Sequence, residues 1–225
     1  RVVVDFEPQG IAFEEVLRKY KLAAEDDSLP SLVLLEDTTA QVMADSGTII
    51  AGEACFDADP DGEAMKDDFL PIATASYTVE DQLLPVGFDV YTALVFYNRD
   101  TFIAAGLDPD TAPETLEEVR AAAQKIKDSG AGDKPVSVLA APWQMEWWLT
   151  GVGQPIVNEN NGRDGLATAS EFDNERTHEL MDFWRGMVSD GLATAYPGIE
   201  GQTNHLFAMA TGGASIVIES SAAVN

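Results

Sequence analysis

The chain has 225 residues, and its 13 Lys and Arg against 39 Asp and Glu give a formal net charge of −26. Such a charge argues against nucleic acid or an anionic membrane as the main partner, because both need basic surface. No run of residues approaches the roughly 18 consecutive apolar residues of a membrane span, and a single cysteine, Cys55, excludes an internal disulfide. The acidic surface suits a saline external medium, and a generally acidic proteome would give the same charge.

The first part of the sequence predicts two strand–loop–helix units. Three valines at residues 2–4 predict a strand, and helix-spaced apolar side chains follow from Phe13 to Tyr20. The segment SLVLLE, residues 31–36, predicts a second, buried strand. Both strands would belong to one α/β layer arrangement.

The region after the second predicted strand combines a short helix, an irregular stretch and new strands. Thr38 or Thr39 is expected to cap the helix, and Gly47 is expected to end it. Residues 55–80 show no clear period and predict an irregular acidic stretch. Residues 83–100 are rich in β-branched and aromatic side chains and predict one or two strands across Gly87.

A clear helix start follows at residues 113–118. Thr115 and Glu118 have the spacing of a capping box, and Gly130 is expected to end the helix. Residues 135–141, PVSVLAA, predict a strand, and residues 143–153 predict a tryptophan-rich helix.

The last part of the sequence predicts one more helix and one more strand. The helix covers residues 174–189, with Trp184 on its apolar face and Gly191 after its end. Residues 213–221, GASIVIESS, predict the strand. Alternating strands and helices indicate an α/β fold with a largely parallel sheet, in which ligands bind beyond the carboxyl ends of the strands.

Several segments, in order, resemble the family 1 extracellular solute-binding proteins, which include maltose-binding and glycerol-3-phosphate-binding receptors. The segments are LPVGFDVYTALVFYNRDTFIAAGLDP, PETLEEVRAAAQKIKDSG, NENNGRDG, DFWRGMVSDGLA and FAMATGGASIVIESS. The resemblance implies a type II periplasmic-binding-protein fold, with two α/β lobes, hinge strands and a ligand held in the cleft between them. It implies a receptor without a cofactor and not an enzyme.

The resemblance also implies lobe boundaries. We expect a first lobe over residues 1–88, a second lobe over residues 89–215 and a return strand to the first lobe over residues 216–225. Relative to the family, the chain is expected to be a fragment that lacks the first strand and the C-terminal part. Such a fragment is expected to aggregate or to unfold with poor cooperativity, since unpaired strand edges favour association.

The likeness is strongest to the glycerol-3-phosphate-type receptors, through LVLLEDTTAQVMADSG and PWQMEWW. It places Phe13 at an aromatic position of that group and Glu36 at an acidic one. It matches Trp143 and Trp147 to a tryptophan pair of that group. It also matches Ser220 or Ser221 to the serine of its returning strand.

The chemistry of these residue types agrees with a polyol or sugar site. Such a ligand needs carboxylate acceptors, hydroxyl donors and a flat aromatic ring over its C–H face. Trp143 and Trp147, at i and i+4, share a helix face, whereas Trp148 points elsewhere. All three tryptophans are candidates for binding, and core packing is the alternative, which we prefer for Trp184.

The polar candidates lie at predicted strand ends or in the segment that crosses between lobes. Glu36 and Asp37 follow an apolar strand, where ligand groups or an acidic helix start are both expected. Asp89, in an apolar segment with Tyr91, would be costly to bury without hydrogen bonds, which favours a cleft position for both. Two further serines, Ser220 and Ser221, come at the end of a strand, and a simple turn explains them equally well.

Four aspartates and a glycine have the spacing of a calcium loop. They are Asp57, Asp59, Asp61, Gly62 and Asp68, at loop positions 1, 3, 5, 6 and 12. Against calcium stand the missing final Glu, the proline inside the loop, and the frequency of acidic residues in this chain. The sequence therefore predicts no metal site, with this loop as the alternative.

We find no catalytic motif. His178 and His205 are expected on a polar helix position and in a loop, without a matching Ser or Cys. The predicted function is delivery of a sugar, polyol or glycerol-3-phosphate-like solute to an ABC permease, by a monomer in the periplasm or by a cell-surface lipoprotein. The alternative is a carbohydrate-active hydrolase with paired carboxylates.

Overall fold

A computed structural model describes residues 3–10, 13–79 and 82–224. The chain divides into two compact units, residues 1–90 and residues 91–225. Within the described ranges, no helix has the length and apolar character needed to cross a membrane. The lobe limits expected from the sequence, residues 1–88, 89–215 and 216–225, stay a prediction.

The first unit consists mainly of short helices. Its elements are α1 (Phe13–Glu25), a 3-10 turn (Asp37–Thr39), α2 (Ala40–Ser46), α3 (Gly52–Asp57), α4 (Gly62–Asp67), α5 (Pro71–Tyr77), β1 (Thr78–Val79) and β2 (Gln82–Leu83). The two short strands pair antiparallel.

Two strands predicted for the first unit are wrong. Val3 and Val4 belong to no strand and are largely exposed, and Val2 lies outside the described residues. Residues 31–36 also lack strand pairing, and Leu32 is 86% exposed. An apolar segment becomes a strand only when a neighbour takes up its N–H and C=O groups, and in the described part of this unit only β1 and β2 pair with each other.

The prediction of an irregular stretch over residues 55–80 is also wrong, because α3, α4 and α5 lie there. These helices have only six or seven residues, too few to show a helical period in the sequence. Tertiary contacts hold them instead. The Lys66 Nζ lies 2.8 Å from Glu53 Oε1, and the rings of Phe56 and Phe69 meet edge to face with centroids 5.9 Å apart.

The end of α2 agrees with the sequence, whereas its start does not. Gly47 ends the helix in the left-handed conformation, with φ of 63°. Thr39 precedes the helix, but its hydroxyl donates to the Glu36 carbonyl at 2.7 Å and does not cap the helix. Residues 84–92, predicted to be part of a strand, form none, and the next strand begins at Ala93.

The second unit is a four-stranded sheet with helices on both faces. Its elements are β3 (Ala93–Tyr97), α6 (Arg99–Ala104), α7 (Leu116–Ser129), β4 (Val136–Ala140), α8 (Pro142–Gly151), α9 (Asn158–Gly162), α10 (Glu175–Ser189), β5 (Ala193–Pro197), α11 (Gly198–Ala210), β6 (Ile216–Ser220) and a 3-10 turn (Ser221–Val224). The predictions of α7, β4, α8, α10 and β6 are confirmed. The sequence analysis missed α6, α9, β5 and α11.

Local side-chain chemistry explains why α7 and α10 begin where they do. The Thr115 hydroxyl accepts the Glu118 N–H at 3.1 Å, and the Glu118 carboxylate accepts the Glu114 N–H at 2.7 Å. The Asn174 side chain accepts the Thr177 N–H at 3.1 Å in the same way. Predicted capping at Thr115 is therefore confirmed.

The sheet has the order β3-β6-β4-β5. Strand β4 runs parallel to both β5 and β6, and β3 runs antiparallel to β6. The prediction of a largely parallel sheet is confirmed. The segment that was expected to return to the first lobe, β6, is an interior strand of this sheet.

Alternation along the strands divides the apolar side chains between two faces. Ile216 and Ile218 of β6 face the main core, which contains the helical residues Leu149 and Trp184. Val217, between them, faces the opposite side with Ala208 of α11 and Ala214. Helix α11 therefore covers one face of the sheet, and α7, α8 and α10 cover the other.

We expect Trp184→Ala to destabilise the protein strongly. Trp184 is 9% exposed in the main core and contacts the rings of Trp148 and Phe183. The resulting cavity should lower the free energy of unfolding by about 3–5 kcal/mol, as measured by urea denaturation. Leu166→Ala, at a residue that is 85% exposed, is the control and should change it little. Equal effects of the two substitutions would contradict this packing.

The ion pair between Glu53 and Lys66 predicts a pH-dependent stability. The Lys66 ammonium, with the Leu83 N–H, holds the pKa of the Glu53 carboxyl below its ordinary value of 4.5. Because folding lowers this pKa, the stabilisation is complete above pH 4.5 and is lost as the pH falls through the lowered value. The free energies of unfolding of wild type and Glu53→Gln should therefore differ at neutral pH and converge in acid. A difference that stays constant with pH would show that the pair has no such role.

Candidate functional site

The carboxyl edge of the second unit's sheet is the place where its helices depart to opposite faces. After β4 the chain enters α8, whose Leu149 packs in the main core. After β5 it enters α11, whose Ala208 packs on the other face. Adjacent parallel strands whose connections leave to opposite faces open a crevice at their carboxyl ends, where α/β proteins bind ligands.

The tryptophan pair lies at this edge. Helix α8 begins at Pro142, two residues after β4 ends. The rings of Trp143 and Trp147 meet edge to face with centroids 4.8 Å apart, and both are partly exposed. Trp148 points elsewhere, as predicted, and its ring lies 4.9 Å from that of Trp184 against the main core. Trp148 therefore contributes to packing.

The serines and Tyr91 lie at the same edge. Because β3 runs antiparallel to β6, the start of β3 meets the end of β6, with Ala93 opposite Ser220. The Ser221 N–H donates to the Thr92 carbonyl at 2.8 Å, and the Thr92 N–H donates to the Ser221 Oγ at 3.2 Å. Tyr91 precedes this pair and is 49% exposed. The fold thus brings five of the six candidates of this unit to one edge.

Two buried side chains bond to backbone groups of β6 beyond the point where its pairing with β4 stops. Strand β4 pairs with β6 only as far as Ser137 and Val217. Beyond that point the buried Gln144 donates its Nε2 hydrogen to the Ile218 carbonyl at 2.8 Å. The Ser220 N–H donates to the Glu219 Oε1 at 2.7 Å. The sequence analysis missed Gln144 and Glu219, because single polar residues inside apolar segments give no periodic signal.

The sequence analysis placed His205 in a loop, and this prediction is wrong. His205 lies in α11 and is fully buried. Its Nδ1 lies 2.8 Å from the Ser137 Oγ, and its Nε2 lies 3.2 Å from the Glu219 Oε2. This order of Ser, His and Glu resembles a hydrolytic triad. Ser137 is only 1% exposed, so its hydroxyl is closed to a substrate. The other histidine, His178, is exposed and contacts Asp173.

The first unit contains an open cavity of about 430 Å³. It is lined by Met65, Asp68, Phe69, Leu70, Ala73, Gly87, Phe88, Asp89 and Val90. Of the predicted candidates in this unit, Asp89 lines the cavity. Phe13, 39% exposed at the start of α1, and Glu36, before the 3-10 turn, lie outside the lining. The lining of the cavity thus combines the aromatic rings of Phe69 and Phe88 with the carboxylates of Asp68 and Asp89.

Tyr77 connects the two aspartate candidates of this unit. Partial burial raises the pKa of the Tyr77 hydroxyl above its ordinary value, and the negative charges of Asp37 and Asp89 raise it further. Both carboxylates are thus within electrostatic range of one hydroxyl. The ring of Tyr77 lies against Gly87, where an added Cβ would come within 3.1 Å of it. Tyr77 was not a candidate from the sequence, since an isolated tyrosine carries no spacing signal.

The proposed calcium loop does not have the required form. Gly62, the sixth loop position, is the first residue of α4, so a helix begins inside the twelve-residue segment. An added Cβ at Gly62 would lie 1.8 Å from the Phe56 carbonyl oxygen, so close packing explains this glycine. In the part of the chain that the structure describes, no three His, Cys, Asp or Glu residues converge as a metal site.

The family model of bacterial extracellular solute-binding proteins matches residues 4–218. The chain belongs to this family. Members are binding receptors and not catalysts, so the hydrolase alternative is wrong. The type II α/β fold expected from the sequence is confirmed by solved structures.

Curated relatives include the sn-glycerol-3-phosphate-binding periplasmic protein UgpB of Yersinia pestis bv. Antiqua, 34% identical over 106 residues. The Escherichia coli K12 protein of the same name is 33% identical over 106 residues. Each match covers 46% of this chain and 24% of the relative.

Among solved structures, the GacH receptor of Streptomyces glaucescens, determined unliganded and with acarbose, has a TM-score of 0.76 at 22% identity. The match covers 93% of this chain and 50% of that one. UgpB from Mycobacterium tuberculosis in complex with glycerophosphocholine has a TM-score of 0.74 at 21% identity, over 94% of this chain and 50% of that one. The chain spans about half the length of these proteins.

Gln144→Leu should destabilise the second unit, because it leaves the buried Ile218 carbonyl without its donor. Leaving a buried acceptor unsatisfied costs about 1–3 kcal/mol of unfolding free energy, which urea denaturation would measure. Gln124→Leu is the matched control, since Gln124 is exposed on α7 and its side-chain amide donates to the exposed Asp128 carboxylate. If both variants unfold at the wild-type urea concentration, Gln144 does not hold this edge.

Proposed function

We propose that this protein is an extracytoplasmic receptor that delivers a sugar, polyol or glycerol-3-phosphate-like solute to the permease of an ABC importer. The observation that carries the proposal is the pair of Trp143 and Trp147 at the carboxyl edge that also holds Ser220 and Ser221. We propose this edge as a ligand-binding surface of the second unit, with Tyr91 as a further contact.

The chemistry of the edge suits a polyhydroxylated solute. Trp143 and Trp147 are partly exposed, so a flat aromatic surface is available to the C–H face of a sugar ring. The hydroxyls of Ser220 and Ser221 donate and accept hydrogen bonds, which matches the mixed character of sugar hydroxyls. Small-molecule sites typically combine aromatic rings with a small number of convergent polar groups.

The first unit carries candidate acceptors of its own. Asp37 and Asp89 are carboxylates that accept hydrogen bonds from ligand hydroxyls, and both influence the Tyr77 hydroxyl. Asp89 also lines the cavity beside Phe88. We propose these residues, with Glu36 and Phe13, as the first unit's candidates for ligand contact.

The relatives favour the same ligand class. The names of UgpB from Yersinia pestis and Escherichia coli refer to sn-glycerol 3-phosphate. The GacH structure includes acarbose, and the Mycobacterium tuberculosis UgpB structure includes glycerophosphocholine. All of these solutes carry several hydroxyl or phosphate oxygens. We propose a ligand of this class for this chain and do not choose one member of it.

The family is extracellular or periplasmic. We infer that this protein acts outside the cytoplasm as a monomer, either free in the periplasm or as a cell-surface lipoprotein. Its net charge of −26 agrees with this setting and with a partner other than nucleic acid. The proposed macromolecular partner is the permease.

Trp147→Ala should weaken binding without destabilising the free protein. Calorimetric titration with maltose, glycerol and sn-glycerol 3-phosphate would first identify a solute that binds. Loss of the aromatic contact should then cost about 2–4 kcal/mol of binding free energy, which is about 30- to 1,000-fold in Kd.

Trp184→Ala is the matched control for this substitution. It should lower the melting temperature of the free protein and leave the affinity of the folded fraction near that of wild type. If Trp147→Ala destabilises the free protein as much as Trp184→Ala does, then Trp147 is a core residue and the proposed site is misplaced. If the wild type binds none of the three solutes, the proposal that it binds ligands of this class is contradicted.

A further inference from the structure

The backbone N–H of Ser220 has an unusual partner for a residue at the end of an interior strand. On one side β6 pairs with β3, and the bonds there join Ser221 and Thr92. On the other side pairing with β4 has already stopped at Val217. The Ser220 N–H instead donates to Oε1 of the preceding Glu219, at 2.7 Å. A side-chain carboxylate thus completes the strand.

Glu219 lies next to His205 on its buried side. It is only 4% exposed, and its second oxygen lies 3.2 Å from the Nε2 of the fully buried His205, within ion-pair distance but without hydrogen-bond geometry. The Nδ1 of His205 contacts the Ser137 Oγ at 2.8 Å, and that hydroxyl also lies 3.2 Å from the His205 carbonyl oxygen. The chain of contacts runs from β4 through α11 to the last residues of β6.

A carboxylate in this position needs such a network. Burying a charged group is costly unless it is paired and hydrogen-bonded, and an apolar residue at position 219 would pack on this face at lower cost. Val217, two residues earlier on the same face, is apolar and packs against Ala208 and Ala214. Plain packing of the sheet therefore does not require a glutamate at position 219.

We infer that Glu219 is a positioning residue, oriented by His205 and Ser137, that fixes the Ser220 N–H and so sets how Ser220 and Ser221 are presented at the carboxyl edge. The effect on ligand binding rests on the proposed function. The positioning itself does not, because it concerns only the geometry at the end of β6.

The first test compares two substitutions of Glu219 by amide hydrogen exchange of Ser220, read by NMR. Glu219→Ala removes the acceptor, and the exchange of the Ser220 amide should become at least about 10-fold faster, as for the loss of a hydrogen bond to a charged group. Glu219→Gln keeps an oxygen for the Ser220 N–H, and exchange should stay within about threefold of wild type. Glu179→Ala, at an exposed residue of α10, is the control and should change neither rate.

The second test reads the tautomer of His205 from the two-bond nitrogen–proton couplings of its ring. In wild type a proton on Nε2 is expected, since this nitrogen faces a carboxylate. In Glu219→Gln the oxygen stays with the Ser220 N–H, so the side-chain amide points at His205 and the ring proton should move to Nδ1. The chain has two histidines, and His178→Gln assigns the signals. A change in packing alone would not move this proton.

The third test measures the Kd of the same variants for maltose and for sn-glycerol 3-phosphate. Glu219→Ala should raise the Kd of whichever solute binds by about 10-fold or more, and Glu219→Gln should restore it to within about threefold.

If neither solute binds to the wild type, the proposed function fails for these two solutes, while the Ser220 exchange rate and the His205 tautomer still decide the positioning role. Unchanged Ser220 exchange in Glu219→Ala, or an Nε2 proton retained in Glu219→Gln, would overturn the inference. Faster exchange with an unchanged Kd would refute its part in binding. If Glu219→Ala does not fold, the tautomer in Glu219→Gln decides.

Discussion

The second unit depends on a strand ladder that stops early. Strand β4 stays paired with β5 to Ala140 but leaves β6 after Ser137. Paired strands satisfy each other's backbone groups, so the departure of β4 leaves the last residues of β6 in need of other partners. The crevice lies at the same carboxyl edge, where the connections that follow β4 and β5 leave to opposite faces of the sheet. The buried polar groups and the crevice are therefore neighbours.

The side chains around this edge follow from that constraint. Gln144, in the first turn of α8, bonds to β6 and ties the helix start to the strand. The adjacent Trp143 and its partner Trp147 are thereby held at the edge, while Trp148 and Leu149 on the other side of the helix pack in the core. One helix of ten residues therefore anchors itself with its apolar side and presents a pair of aromatic rings with the other. A rigid support of this kind lets the two aromatic rings stay partly exposed without cost to the core.

Much of the second unit could be predicted from the sequence, because its helices are long and its caps are local. Thr115 and Gly130 mark the limits of α7 through bonds made within a few residues, and i,i+4 spacing alone places Trp143 and Trp147 on one face. The first unit was predicted poorly, because four of its helices, α2 to α5, have only six or seven residues and its apolar segments at residues 3–4 and 31–36 lack strand partners in the described residues. Val33 and its neighbours have the composition of a strand, but pairing is a tertiary property that composition does not report.

The site was predictable only in part, for a related reason. Aromatic pairs and residues at strand ends carry a sequence signal, and Trp143, Trp147, Ser220 and Ser221 were found by it. The groups that hold them, Gln144, His205 and Glu219, act through contacts as much as 74 residues apart in sequence, which no local pattern reveals. Sequence reasoning thus located the groups proposed to contact ligand, and the structure identified those that support them.

A crystal structure of the protein with a bound solute tests the central claim most directly. The account predicts electron density for the solute on the ring of Trp147, with a ligand hydroxyl within hydrogen-bonding distance of Ser220 or Ser221. Solute density elsewhere on the second unit, with Trp143 and Trp147 uncovered, would contradict it.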